Sequence, residues 1–130
     1  MKITDIAFTV YPSNDVAAAR AWYERTLGLV FAGPYMEDGI EKYNEVHFPG
    51  ACFSLMASQW VGREPGTAAS VYFEVDDIDG AILSLRAGGA DVDEPFETPV
   101  CTQAALRDSE GNRIWLHQRK PGRATAPNGP

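Results

Sequence analysis

Apolar and polar residues alternate over positions 3–10, with Ile6, Phe8 and Val10 on one face and Asp5, Ala7 and Thr9 on the other. That period of two predicts a strand. Pro12-Ser13-Asn14-Asp15 predicts its end and supplies a helix N-cap. From Val16 the period lengthens to that of a helix. Val16, Ala19, Tyr23 and Leu27 fall on one face, and Gly28 is placed to stop it. Leu29 to Phe31 predicts a short strand closed by Gly33-Pro34, and strands follow near 40–48 and 51–57, joined at Pro49-Gly50. Residues 58–68 read as a loop.

The pattern then begins again. Val71, Phe73 and Val75 alternate in a strand over 70–75, and Asp76 or Asp77 caps a helix with Ile78, Ile82 and Leu85 inward. That helix ends at Gly88-Gly89. A weak strand near 91–94, an acidic proline-containing loop, a strand at 101–107, a turn at Asp108-Ser109-Glu110-Gly111 and a strand at 112–118 complete the second half. The order is strand-helix-strand-strand-strand, twice. The copies are too long and too few for a solenoid. They predict two fused modules, near 1–57 and 69–118, in one domain spanning 1–118. The stretch 119–130 has three prolines, two glycines and no large apolar residue, and reads as a disordered tail.

Composition narrows the partners. A net charge of −7 disfavours nucleic acid, whose phosphates need a basic face. No apolar run is long enough to span a bilayer, and the start lacks a signal-peptide core, so a cytoplasmic location is expected. Cys52 and Cys101 have no metal-type spacing and read as free, buried thiols.

The hairpin at Pro49-Gly50 has a register that can be read from apolar matching. With Phe48 opposite Ala51, Val46 meets Phe53. The other face then pairs Tyr43 with Met56, Glu45 with Ser54 and His47 with Cys52.

The repeated order, with Trp22-Tyr23 in the first helix before Thr26-Leu27-Gly28-Leu29, resembles the vicinal oxygen chelate superfamily of glyoxalases, bleomycin-resistance proteins and extradiol dioxygenases. Asp108-Ser109-Glu110-Gly111-Asn112 is similar to that family's turn before its last strand. The resemblance covers residues 2–118 and implies an α+β fold. Two βαβββ modules would form a cupped mixed sheet with the helices outside, commonly as a homodimer. Family enzymes hold a divalent metal in the cup, one ligand from each of four strands. The corresponding positions here are Asp5, Ser54, Ser70 and Trp115. One carboxylate, two hydroxyls and an indole do not make such a site, so no metal and no other cofactor is expected.

Strand parity gives the cup wall other groups. Glu45 and His47 are the candidate catalytic pair, a general acid and base, or else a solvated Glu beside a half-exposed His. Tyr72 and Trp115 stack on a flat ligand or serve as ordinary core rings. Asp5, Tyr43, Ser54, Ser70 and Gln103 supply polar contacts, and Arg107 clamps an anion or faces water. His117 reads as surface. Trp60, with Arg63, reads as a lid or an interface anchor. The expected function is metal-free binding of a small organic molecule. The alternative is a lyase, isomerase or dioxygenase-type enzyme, metal-free through Glu45 and His47 or with displaced ligands.

Overall fold

A computed structural model describes residues 1–68 and 70–121. Both halves have the predicted α+β order of one strand, one helix and three strands. The chain divides into two compact units. The first holds residues 1–69 together with 108–113, and the second holds 70–107 and the chain from Ile114 onward.

The first unit contains β1 (Thr9–Ser13), α1 (Val16–Leu27), β2 (Tyr35–Glu37), β3 (Ile40–Phe48), β4 (Ala51–Ala57) and the short α2 (Ser58–Val61). Its sheet runs β1-β4-β3-β2, with β1 parallel to β4 and the other neighbours antiparallel. Asp15 caps α1 by accepting from the Ala18 N–H at 3.1 Å. Gly28 closes it in the left-handed region, φ 67°, where a side chain would be strained. The helix buries Val16, Ala19 and Tyr23. The Tyr23 ring meets Phe53 at 5.4 Å, and Tyr11 meets Phe53 edge-on at 5.6 Å. Leu27, predicted inward, is only half-buried.

A polar anchor completes this unit. The Tyr23 hydroxyl donates to the buried Asp108 carboxylate at 2.7 Å. Burial, reinforced by Asp108, raises the Tyr23 pKa far above the ordinary phenol range, so the hydroxyl remains a donor. Asp108 also accepts from the backbone N–H groups of Glu110 and Asn112 and from Asn112 Nδ2. Glu110 in turn accepts from Ser13 Oγ and the Asn14 N–H. The predicted turn at 108–111 therefore belongs with the first unit.

Four local readings are corrected here. The first strand begins at Thr9, and residues 1–8, including Asp5, lie outside any described strand. Alternation marks extended chain but cannot say whether a neighbouring strand meets it. Pro12 lies inside β1 rather than ending it. An edge strand tolerates the missing N–H, and β1 is at the sheet edge. The strand placed at 29–31 is absent, and β2 comes later, at Tyr35–Glu37. The loop 58–68 opens with a helical turn, Ser58–Val61.

The β3–β4 hairpin has the predicted register, Phe48 opposite Ala51 and Val46 opposite Phe53. Gly50 has φ 77°, the value a two-residue turn with proline first needs at its second position.

The second unit contains β5 (Val71–Glu74), α3 (Ile78–Ala87), β6 (Phe96–Glu97), β7 (Cys101–Arg107) and β8 (Arg113–Arg119), in sheet order β5-β8-β7-β6. β5 pairs parallel with β8, which sets Val71 opposite Ile114 and Phe73 opposite Leu116. Asp77 is the cap of α3, accepting from the Gly80 N–H. Gln118 ties the helix start down, accepting from Ile78 N–H and donating to the Asp76 carbonyl. The weak strand near 91–94 is a single bridge between Val92 and Leu106, and β6 forms inside the predicted loop. β8 reaches Arg119, and the Lys120 N–H donates to the Val100 carbonyl at 2.9 Å. The remainder of the predicted tail, 122–130, lies outside the described residues.

Candidate functional site

In the first unit, the face of the β3–β4 hairpin turned away from Phe53 collects Tyr43, Glu45, His47, Cys52 and Ser54 by strand alternation. His47 Nε2 lies 2.6 Å from Glu45 Oε2. The Cys52 thiol donates to the same oxygen at 3.2 Å. The Glu45 side chain is 24% exposed and that of His47 64%. Burial, with Glu45 adding to it, pushes the Cys52 thiol up to about 11, so it is protonated near neutrality. Burial likewise pushes the Tyr43 phenol up to about 12, Ser54 opposing and Glu45 reinforcing. Phe8 packs edge-on against the Tyr43 ring at 5.7 Å.

Asp5, an expected member of this wall, is placed elsewhere. Asp5 is exposed in the segment before β1, and its carboxylate accepts the Ile6 N–H at 2.8 Å. Thr9 faces Phe53 and Val10 faces Ser54, so Val10, not Thr9, shares the face of Glu45.

The four positions where the family places metal ligands can be tested by their chemistry. Ser54 is fully buried and its hydroxyl donates to the Thr9 carbonyl at 2.9 Å. Ser70 is exposed just before β5, and Asp5 is engaged as described. Trp115 offers no lone-pair donor. This donor set does not fit a divalent cation.

In the second unit, the β5–β8 register puts Tyr72 opposite Trp115 and Glu74 opposite His117 on one face. The Tyr72 and Trp115 rings lie parallel within 3°, centroids 5.3 Å apart. Phe96 meets Trp115 edge-on at 6.0 Å, and His117 meets Tyr72 at 6.2 Å. His117 Nδ1 lies 2.6 Å from Glu74 Oε1, and the Arg119 N–H donates to Glu74 Oε2 at 2.8 Å. Burial opposes ionisation of Glu74, but the Arg119 N–H, His117 and the Arg119 charge outweigh it and hold the carboxyl below the usual glutamate range. Tyr72, Glu74, Gln103, His117 and Arg119 line an open cavity of about 330 Å³. Arg107 is exposed at the end of β7, on the Gln103 side by alternation.

His117 is therefore not a plain surface residue. Its side chain is 21% exposed and sits in this cavity. Glu74, Arg119 and Phe96 were missed. Glu74 was within reach of the parity that picked out Ser70 and Tyr72, four and two positions earlier. Trp60, in α2, contacts Tyr35 at 5.9 Å and is 44% exposed. Another cavity of about 330 Å³, lined by residues 13–17, 40–42 and 57–59, includes none of the predicted site residues.

Comparison with known proteins follows the same lines. The family model of the Glyoxalase/Bleomycin resistance protein/Dioxygenase superfamily matches residues 5–116. TnmS3, an antibiotic binding protein from Streptomyces sp. CB03234, is similar in structure with a TM-score of 0.78 and 24% identity, over 92% of this chain and 99% of that one. A glyoxalase/bleomycin resistance protein from the same organism has a TM-score of 0.72 and 25% identity, over 85% and 97%. A superfamily member from Sphaerobacter thermophilus has a TM-score of 0.74 and 22% identity, over 89% and 98%. No match is found among curated proteins.

Proposed function

Since the chain belongs to the Glyoxalase/Bleomycin resistance protein/Dioxygenase superfamily, we propose that it binds a small organic molecule bearing a flat ring, without the metal of the family's enzymes. The observation that carries this reading is the parallel Tyr72–Trp115 pair beside a cavity with Gln103, Glu74, His117 and Arg119 on its walls. A 5.3 Å separation leaves no room for a third ring between the two. The ligand stacks on the outer face of Tyr72, which is 52% exposed. Polar groups at the cavity wall then orient its carbonyl or hydroxyl substituents. The antibiotic-binding relative TnmS3 supports a carrier or sequestering role over turnover.

The test is a titration of planar aromatic natural products followed by tryptophan fluorescence and calorimetry. Losing a stacking platform costs about 1–3 kcal/mol. Tyr72→Ala is therefore expected to weaken the best ligand about tenfold or more, while Trp60→Phe leaves it unchanged. Saturable binding that is indifferent to Tyr72→Ala, or no saturable ligand at all, would overturn the reading. The reading includes a cytoplasmic homodimer. Ile3, Ile6 and Phe8, all exposed, support self-association. A concentration-independent monomer mass by light scattering would remove that part.

A further inference from the structure

We propose that Glu45, His47 and Cys52 form a binding site for a thiophilic divalent cation of the zinc class, through one oxygen, one nitrogen and one sulfur, with a fourth position open to solvent. The site is distinct from the four positions of the family metal and does not rest on the ligand-binding reading.

Geometry comes first. One donor atom from each of the three side chains lies within 4.8 Å of the others. Strand register produces that convergence. His47 and Cys52 are facing residues of the hairpin, and Glu45 is two positions before His47 on the same face. The two-residue turn at Pro49-Gly50 fixes this register, so the donors are brought together by backbone pairing rather than by chance side-chain rotation. Zinc holds nitrogen and oxygen at about 2.0–2.2 Å and sulfur at about 2.3 Å, which sets donor–donor edges of about 3.3–3.8 Å in a tetrahedron. The present contacts are 2.6 Å for His47 to Glu45 and 3.2 Å for Cys52 to Glu45. Admitting the ion requires these two hydrogen bonds to open by about 1 Å or less, a change that side-chain torsions absorb.

Chemistry selects the ion. Calcium and magnesium want oxygen shells, which one carboxylate cannot supply. An imidazole and a thiolate favour zinc, copper, cobalt or nickel. Binding breaks the Cys52 S–H bond, forms the sulfur–metal bond and releases the proton to solvent. Thiolate and carboxylate then balance the double charge of the ion. The exposed edge of His47 gives the entry path, and Glu45 is the sheltered side. Tyr43, two positions before Glu45 on the same strand face, interacts with the carboxylate. Three protein donors leave the fourth corner for water or an anionic ligand atom.

The experiment uses the full chain, freed of metal by dialysis against chelator and titrated with Co²⁺ and with Zn²⁺. Saturation at one cation per chain is expected, with a thiolate-to-cobalt charge-transfer band in the near ultraviolet. Cys52→Ser should abolish the band and weaken binding tenfold or more. His47→Gln should weaken it similarly while leaving the fold intact, because that side chain is mostly exposed. Cys101→Ser, which changes the buried thiol of the second unit, should have no effect. Absence of saturable binding, a cobalt spectrum without the thiolate band, or binding that survives both Cys52→Ser and His47→Gln would overturn the proposal.

Discussion

Each unit carries one of the chain's two histidines, and each histidine sits 2.6 Å from a glutamate, yet the two pairs are built in opposite ways. Glu45 and His47 are neighbours on one strand, with the carboxylate sheltered at 24% exposure and the imidazole open at 64%. Glu74 and His117 face each other across two parallel strands, with the imidazole sheltered at 21% and the carboxylate open at 44%. The first pair shares its carboxylate with a thiol and lies near a phenol. The second shares its carboxylate with a backbone N–H and lies beside stacked aromatic rings. The same two residue types thus present a donor cluster suited to a cation in one unit and a polar edge beside an aromatic wall in the other.

The largest expected effect comes from removing the frame behind the first pair. Asp108 accepts from Tyr23, Glu110 and Asn112, and Tyr23 holds α1 against the sheet. Asp108→Ala leaves the Tyr23 hydroxyl and the Asn112 amide without this acceptor. A loss of about 2–4 kcal/mol is expected, read as a lowered urea midpoint at unchanged slope. A loss below about 1 kcal/mol would mean that water or a rearranged turn replaces the carboxylate.

Next comes the sheltered histidine. His117→Gln removes a half-buried ring that contacts both Glu74 and Tyr72. About 1 kcal/mol of stability is expected to go with it. Binding of a ring-bearing ligand should weaken as well, since this side chain lines the cavity. Unchanged stability and unchanged binding together would erase the distinction between the two histidines.

That distinction also marks how far the sequence could be read. Glu45 and His47 share a face by simple alternation, and apolar matching of Val46 with Phe53 fixed the strand opposite them. Pairing Glu74 with His117 requires knowing that β5 runs parallel beside β8, with forty-odd residues between, and no local pattern encodes that register. The helices were legible because Asp15 and Asp77 each cap where the apolar period begins. The first strand was misplaced because Ile6 and Phe8 alternate as well as Val10 does, although only residues from Thr9 onward meet β4. The anchor at Asp108 was seen as a turn but not as the partner of Tyr23, a contact across eighty-five positions.

A smaller effect sharpens the electrostatic side of the comparison. The Glu74 carboxyl is held below its ordinary value in the folded chain, so between the two values the unfolded chain binds more protons and stability rises with pH. The stabilisation is present above the ordinary glutamate range and is lost as pH falls through the lowered value. With the side chain 44% exposed, water screens most of it, leaving a fraction of a kcal/mol. Glu74→Gln is therefore expected to be slightly less stable than the parent at neutral pH and to converge with it in acid, as followed by urea midpoints across pH. A difference that grows on acidification would mean that Glu74 is not the favourably held carboxylate described here.

The smallest effect is expected where the contact looks equally short. His47 touches Glu45 at the same 2.6 Å, but its side chain is 64% exposed, so water can replace most of what the contact supplies. His47→Gln should change stability by no more than about 0.5 kcal/mol. The same substitution should remove most of the cobalt and zinc binding, because the imidazole is one of only three protein donors in the proposed cation site. The pairing of these outcomes separates a ligand from a structural residue: a fold-supporting histidine would lose both stability and metal, and a solvated bystander would lose neither. Measuring the urea midpoint and the cobalt titration on one preparation therefore decides whether the exposed histidine of the first unit is held ready for an ion, while its sheltered counterpart at 117 helps hold its own sheet face together.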